Sequence, residues 1–360
     1  IKKTGHSSMH GKIRAMFLGE LQDLCEQSDI YGFGCGGFPI TVKGKGIVIR
    51  EPSVVAVDER TNPKTVVAVG ADAKKMIGRT PGSIVAVNPI KDGVIADFDI
   101  TAEMLESFIR RTIKKKPFSK VRMLICVPSG VTEVERKAVH DAARSAGASL
   151  ISLIEEPMAA AIGIGLDVNA PEGNMVVDIG GGTTEIAVIS LGAVVSNSSI
   201  KCAGDDFTAD IQDYMSRQHN VNVSERMAER IKINVGSALT DLGSEAPEDY
   251  VVHGPNKITA LPMELPVCYQ EIAHCLENSI TKIERAVMTA LQNTPPELYA
   301  DIVKNGIWLT GGGALLRGLA RRLTDKVKIP FHVAEDPLLC VARGTGIALA
   351  NVDEYPCLLR

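Results

Sequence analysis

The sequence predicts an α/β fold on three observations. Short β-type runs alternate with amphipathic helical stretches along most of the chain. Two of those runs lead straight into triple-glycine turns, Asp178-Ile-Gly-Gly-Gly-Thr-Thr184 and Thr310-Gly-Gly-Gly-Ala314. No unit of roughly 20–50 residues repeats, which excludes a solenoid and leaves a two-fold duplication open.

Residues 1–38 stand apart, because they lack strand alternation and Gly32–Phe38 reads G-F-G-C-G-G-F. From Ile40 the pattern sharpens. Ile47–Ile49, Val54–Val57 and Val66–Val69 are short β-type runs between turn residues. Thr101–Ile113 carries Met104, Leu105, Phe108 and Ile109 on one side of a helix. Val121–Val127 is a buried-strand run that Pro128-Ser129-Gly130 closes. Thr132–Ala146 is a charged amphipathic helix, with Thr132 as its cap and Glu135 completing a capping box. Leu150–Ile154 is a strand, followed by Pro157 and the small-residue helix Met158–Gly163. A second series begins at strand Met175–Val177, which the glycine turn joins to Glu185–Ser190. Val194–Ile200 is a third strand and Asp205–Arg217 a helix. Ile307–Thr310 is a strand entering Gly311–Gly313, and Ala314–Leu323 reads as the helix after it.

Bulk properties narrow the function. A chain of 360 residues, 45% hydrophobic and 23% charged, is long enough for two cores. A net charge of -4 and 4% aromatics argue against a nucleic-acid partner. Apolar stretches such as Ala159–Leu166 are too short to cross a bilayer, and no signal peptide is visible. The chain starts at Ile1 rather than Met, so we allow for a fragment. Its eight cysteines show no C-x-x-C spacing and read as buried thiols in a reducing cytoplasm.

The chemistry concentrates in four places. In the first glycine turn, Gly180–Gly182 are free to take positive φ and carry no Cβ, so their amides can close on phosphate oxygens. Thr183 and Thr184 add hydroxyl donors there. Asp178, at the end of a buried strand, suits a hydrated Mg²⁺, which takes few carboxylates; a bare tight hairpin is the alternative. In the second turn, Gly311, Gly312, Gly313 and Ala314 follow a strand and open a helix, a layout that brings backbone amides to a nucleotide or serves only as a strand–helix turn. Glu229 and Lys232 share a helix face, to bind a ribose or flank a base, or else to form a solvated charge pair. Glu155-Glu156-Pro157 ends a strand, and a carboxylate there can orient an attacking water. A helix-start acid favoured by the dipole is the alternative.

Together these motifs resemble the actin-like ATPase superfamily, and within it the MreB/Mbl family. The resemblance rests on D-G-V-I-A-D-F at Asp92–Phe98, E-E-P-M-A-A-A-I-G at Glu155–Gly163, D-I-G-G-G-T-T-E-I-A-V-I-S at Asp178–Ser190 and A-G-D-D at Ala203–Asp206. T-P-P-E-L at Thr294–Leu298 and L-T-G-G-G-A-L-L-R-G-L at Leu309–Leu319 extend it, and V-K-G-K-G-I-V at Val42–Val48 leans towards Mbl. It covers about residues 40–352. It implies an actin-like ATPase fold of two lobes, each with a duplicated RNase-H-like core, and ATP between them. The implied domain I spans residues 39–163 and 338–360, with subdomain IB at about 53–96. Domain II spans 164–337, with subdomain IIB at about 204–263.

By motif match, Gly181, Gly182 and Thr183 hold phosphates, while Glu229, Arg230, Ile231 and Lys232 contact the nucleoside. Gly311–Ala314 line it from the other side, Glu156 is the water-activating carboxylate, and Asp178 is the acid near Mg²⁺. The family implies double filaments on the inner face of the cytoplasmic membrane, acting with cell-wall elongation partners of the MreC, MreD and RodZ type. The basic run Arg110–Lys120 surrounds Phe118 and includes Lys116. Near anionic lipid each such cation gains about 1 kcal/mol. A solvated basic loop is the alternative.

One departure stands out. The family's first phosphate hairpin, an Asp-x-Gly-Thr-type core, falls at about Phe33–Gly36, and no Asp is there. Phe33 cannot hold Mg²⁺, which puts hydrolysis in question. Shifted by one base, codons for Gly32–Phe38 can read Asp-Leu-Gly-Ala-Ala-Asp, so residues 1–38 are expected to be an out-of-frame segment. The leading expectation is a membrane-associated polymerising ATPase. Its alternatives are a sugar-kinase-type phosphotransferase on the same fold and a nucleotide-binding scaffold that does not hydrolyse.

Overall fold

Two strand–helix series, joined by a pair of small-residue helices, organise the chain. The computed structural model describes residues 14–16, 37–42, 46–61, 64–80, 82–91, 94–112, 121–351 and 354–355. The expected first hairpin at Phe33–Gly36 lies outside the described residues, as do Lys116 and Phe118.

The second series forms a five-stranded sheet in the order Ala193–Ile200, Thr184–Ser190, Asn174–Ile179, Ile307–Thr310, Phe331–Val333. The first three strands are an antiparallel meander, and the last two join in parallel. Asp178 pairs with Glu185 and Ile179 with Thr184, so the chain reverses within Gly180–Thr183. Thr184–Ser190 is buried throughout, with an apolar centre at Ile186–Ile189, whereas the edge strand Ala193–Ile200 alternates exposed and half-buried residues.

The first series repeats that order in part. Gly37–Val42 lies antiparallel between Arg14–Met16 and Gly46–Pro52. Arg122–Val127 and Leu150–Glu155 are a parallel pair, and Arg14–Met16 lies beside the former. A small antiparallel sheet centred on Val55–Asp58 is attached to it.

Local signals held where chemistry was local. The predicted capping box forms at Thr132, whose side chain accepts from the Glu135 amide at the start of helix Glu133–Ser145. Helix Phe98–Thr112 buries Met104, Leu105, Phe108 and Ile109 as their spacing predicts. The helix expected over Ala314–Leu323 is different. Gly312–Leu315 is a 3₁₀ turn, and the α-helix starts only at Leu319. Gly318 at φ 73 breaks the run, because the left-handed region cannot continue an α-helix.

Helices Glu156–Ile164 and Cys340–Ala350 pack against each other between the two series. A Cβ at Gly163 would collide with the Cys340 carbonyl, and one at Gly344 with the Ala159 carbonyl. The glycines thus let two backbones touch. Their small, apolar neighbours join both series in one buried cluster, from Leu124 and Ile154 to Val176, Ala187 and Leu349. Away from this joint, Tyr250–Pro255 and Pro262–Val267 form a two-stranded hairpin containing Pro255, Pro262 and Pro266. Among the described residues no helix is long and apolar enough to cross a membrane.

Candidate functional site

The first glycine turn is a tight, buried loop. The Gly180 amide donates to the Thr183 carbonyl at 2.9 Å. The Gly204 and Asp205 amides donate to the Gly180 and Gly181 carbonyls at 3.1 and 2.7 Å, strapping the loop to helix Gly204–Gln218. Gly180, Gly181 and Gly182 do not use positive φ, contrary to expectation. Their value here is the missing Cβ, which permits close approach. Of the two threonines, Thr184 turns inward and donates to the Cys202 carbonyl at 2.7 Å, so it does not face the loop as expected. Strand alternation explains the split between adjacent residues.

Asp178 is buried, and its Oδ1 has no hydrogen-bond partner among the described residues. Burial, reinforced by the Glu185 carboxylate, pushes it up to about 7. An acid in that condition takes up a proton or is completed by a cation and its waters. No group of three or more His, Cys, Asp or Glu residues able to hold a metal occurs among the described residues. A single buried acid is compatible with a hydrated Mg²⁺, which takes few carboxylates.

The second glycine turn closes on the first. Gly311 takes φ 76, and a Cβ there would collide with Asp178 and the Ile179 carbonyl. At Gly313 a Cβ would enter the Ile179 side chain. Packing between the two turns thus demands glycine at 311 and 313. Gly312 and Gly313 still line an open pocket, together with Gly204, Phe207, Lys232 and Arg317.

Helix Glu225–Val235 supplies the facing wall, started by Ser224, which accepts from the Met227 amide. Glu229 and Lys232 are 6% and 7% exposed, which removes the solvated-pair alternative. Lys232 Nζ donates to the Gly204 carbonyl at 2.7 Å and to Thr208 Oγ1 at 2.9 Å. It thereby ties this helix to the strap behind the glycine turn. Glu229 Oε1 has no hydrogen-bond partner among the described residues, and burial, opposed by Lys232, pushes the carboxyl up to about 7. Such an oxygen suits hydroxyl donors like those of a ribose. Arg230 is half-buried, while the Ile231 side chain sits in the hydrophobic core.

Glu156 is buried at the first turn of its helix, ahead of Pro157. It is brought towards Asp178 from the other series. The buried Cys126 thiol registers both, pushed well above its usual range by burial and then by the Glu156 and Asp178 charges. Gly204, Thr208 and Arg317 were not foreseen as wall and strap residues. The A-G-D-D motif contains Gly204 and the Leu309–Leu319 motif contains Arg317, but neither carries a hint that a lysine 28 residues after Gly204 would find its carbonyl.

Comparison with known proteins agrees with this arrangement. The family model described as MreB/Mbl protein matches residues 33–356. Cell shape-determining protein Mbl of Bacillus cereus is 49% identical over 323 residues, covering 90% of this chain and 96% of that protein. Cell shape-determining protein MreB of Escherichia coli K12 is 49% identical over 348 residues, covering 96% and 97%. The crystal structure of MreB 5 of Spiroplasma citri bound to AMPPNP superposes with a TM-score of 0.86 at 34% identity, covering 96% of this chain and 98% of that one. The same protein bound to ADP gives 0.85. The fold is the actin-like ATPase fold, and the chain belongs to the MreB/Mbl family.

Proposed function

We propose that this protein is an ATP-binding, actin-like cytoskeletal element that forms filaments at the inner face of the cytoplasmic membrane and maintains rod cell shape by guiding wall synthesis. The observation carrying the nucleotide part is the strapped glycine loop, with the buried Asp178 on one side and the Glu229–Lys232 wall on the other. Relatives named for cell shape, and a relative bound to AMPPNP and to ADP, support the rest.

In this reading Gly181, Gly182 and Thr183 hold phosphate oxygens, while Glu229 and Lys232, flanked by Arg230 and Ile231, receive the nucleoside. Gly311–Ala314 cover the nucleotide from the opposite side. Mg²⁺, when bound beside Asp178, supplies charge neutralisation at the phosphates. Glu156 orients the water that attacks the terminal phosphoryl group. Residues 39–163 with 338–360 form one lobe and 164–337 the other. Phe118 and Lys116 contact lipid, and MreC, MreD and RodZ types are the partners. A second reading, a scaffold that binds nucleotide without hydrolysing it, is favoured by the absence of Asp at Phe33–Gly36.

Glu156→Ala tests the catalytic assignment. Hydrolysis should slow by about a hundredfold, with ATP affinity nearly unchanged; a matching loss of affinity would make Glu156 structural. Electron microscopy with ATP and anionic liposomes tests assembly. Paired filaments on the lipid are expected, and a persistent monomer would refute polymerisation.

A further inference from the structure

We infer that Glu185 is an interlobe clasp, a positioning residue that sets the spacing between Glu156 and the phosphate hairpin. Its carboxylate is 1% exposed. Oε2 accepts the Ser129 amide of the first series at 3.3 Å. Oε1 accepts Ser199 Oγ of the second series at 2.5 Å. A carboxylate this deeply buried persists only with such donors, so the site is built around the contact. The loop carrying Ser129 rests on the same strand, since a Cβ at Gly130 would lie 3.6 Å from Ser199 Cβ.

The clasp connects two segments that matter for the reaction. Val127 pairs with Glu155, so Ser129 and Glu156 leave the first sheet from the same edge. Across the cleft, Glu185 follows Thr183 and Thr184 directly and pairs with Asp178. Moving the Ser129 loop away from Glu185 therefore moves the Glu155-Glu156 segment away from the hairpin. Nearby, Arg136 Nε and Glu155 Oε2 are buried without hydrogen-bond partners among the described residues. Arg136 and Glu155 face each other at 3.7 Å within the first series.

The kinetic consequence rests on the ATPase reading above, but the clasp itself is observable without nucleotide. In the nucleotide-free full chain, Glu185→Ala should raise hydrogen exchange at the Ser129 amide by about tenfold, the loss of one bond to a charged acceptor. Glu185→Gln should restore protection, because its carbonyl still accepts from Ser129 and its amide donates to Ser199 Oγ. Ser199→Ala, a milder change, should give a smaller rise. Unchanged exchange in both alanine variants would overturn the clasp, whether or not the chain hydrolyses ATP. In the ATPase assay, Glu185→Ala should lower kcat by about tenfold with KM nearly unchanged, and Glu185→Gln should recover it. A raised exchange with unaltered kcat, a parallel loss in KM, or a Gln variant as impaired as Ala would each overturn the positioning role. A parent chain without hydrolysis would instead sink the ATPase reading and leave the exchange result to decide the clasp.

Discussion

In the second sheet, Asn174–Ile179 and Thr184–Ser190 are joined by the four residues of the glycine loop. In the first sheet, Arg14–Met16 and Gly37–Val42 hold the matching antiparallel places, with residues 17–36 between them. The second arrangement presents a strand-end Asp, a loop with three residues lacking Cβ and a strap from the next helix. The first has no Asp in the sequence at Phe33–Gly36, where the family resemblance expects one. On the proposed reading, the contrast teaches that binding and hydrolysis draw on different halves, with the glycine loop of the second half serving the former and residues 32–37 expected to serve the latter.

The largest effect should come from rebuilding the weak half. Replacing Gly32–Gly37 with Asp-Leu-Gly-Ala-Ala-Asp should raise ATP-dependent phosphate release on the order of a thousandfold, if that Asp supplies what one preorganised electrostatic group usually supplies. Equal rates before and after would mean that the second half suffices. The gene's nucleotide sequence gives an independent check, since a one-base shift should encode the same Asp-containing run.

Next in size is the joint. Gly344→Ala forces a methyl into the Ala159 carbonyl and should cost about 3 kcal/mol by overpacking. Because one buried cluster spans both series, calorimetry should show a single transition moved to lower temperature. A shift in one of two resolved transitions would show the lobes to be energetically separate.

An effect no larger than that concerns the intact half. Glu229 titrates near pH 7 when folded, against about 4.5 when exposed, because burial disfavours its charge. Its folded pKa is raised, so its favourable contribution is full below about pH 4.5 and is lost as pH rises to 7. Glu229→Gln should therefore match the parent protein near pH 4.5 and exceed it by about 3 kcal/mol at pH 8, without nucleotide. Thermal melts at both pH values measure this, and a pH-independent difference would contradict it.

What the sequence disclosed, and what it hid, follows the range of the interactions. The Thr132–Glu135 capping box and the strand-entry glycines are encoded within a few residues, and all form. The break at Gly318 was missed because a lone glycine in an amphipathic run reads as tolerated until its φ is known. Glu229 and Lys232 looked like a surface pair by their spacing, and only the fold brings Gly204 and Thr208 to the lysine. The Ser129–Glu185 contact spans 56 positions and had no local signature. Family resemblance supplied the site's membership, whereas distance and burial came only with the structure.

The proline-bearing hairpin bears on assembly. A protein proposed to polymerise meets its own copies at high local concentration, where bare strand edges can recruit one another into irreversible aggregates. Pro255, Pro262 and Pro266 each withdraw an N–H from the two-stranded hairpin. They make strand-by-strand growth unfavourable at that edge. Association there must then run through side-chain faces, which separate again when their contacts weaken, and this leaves a filament free to be dismantled.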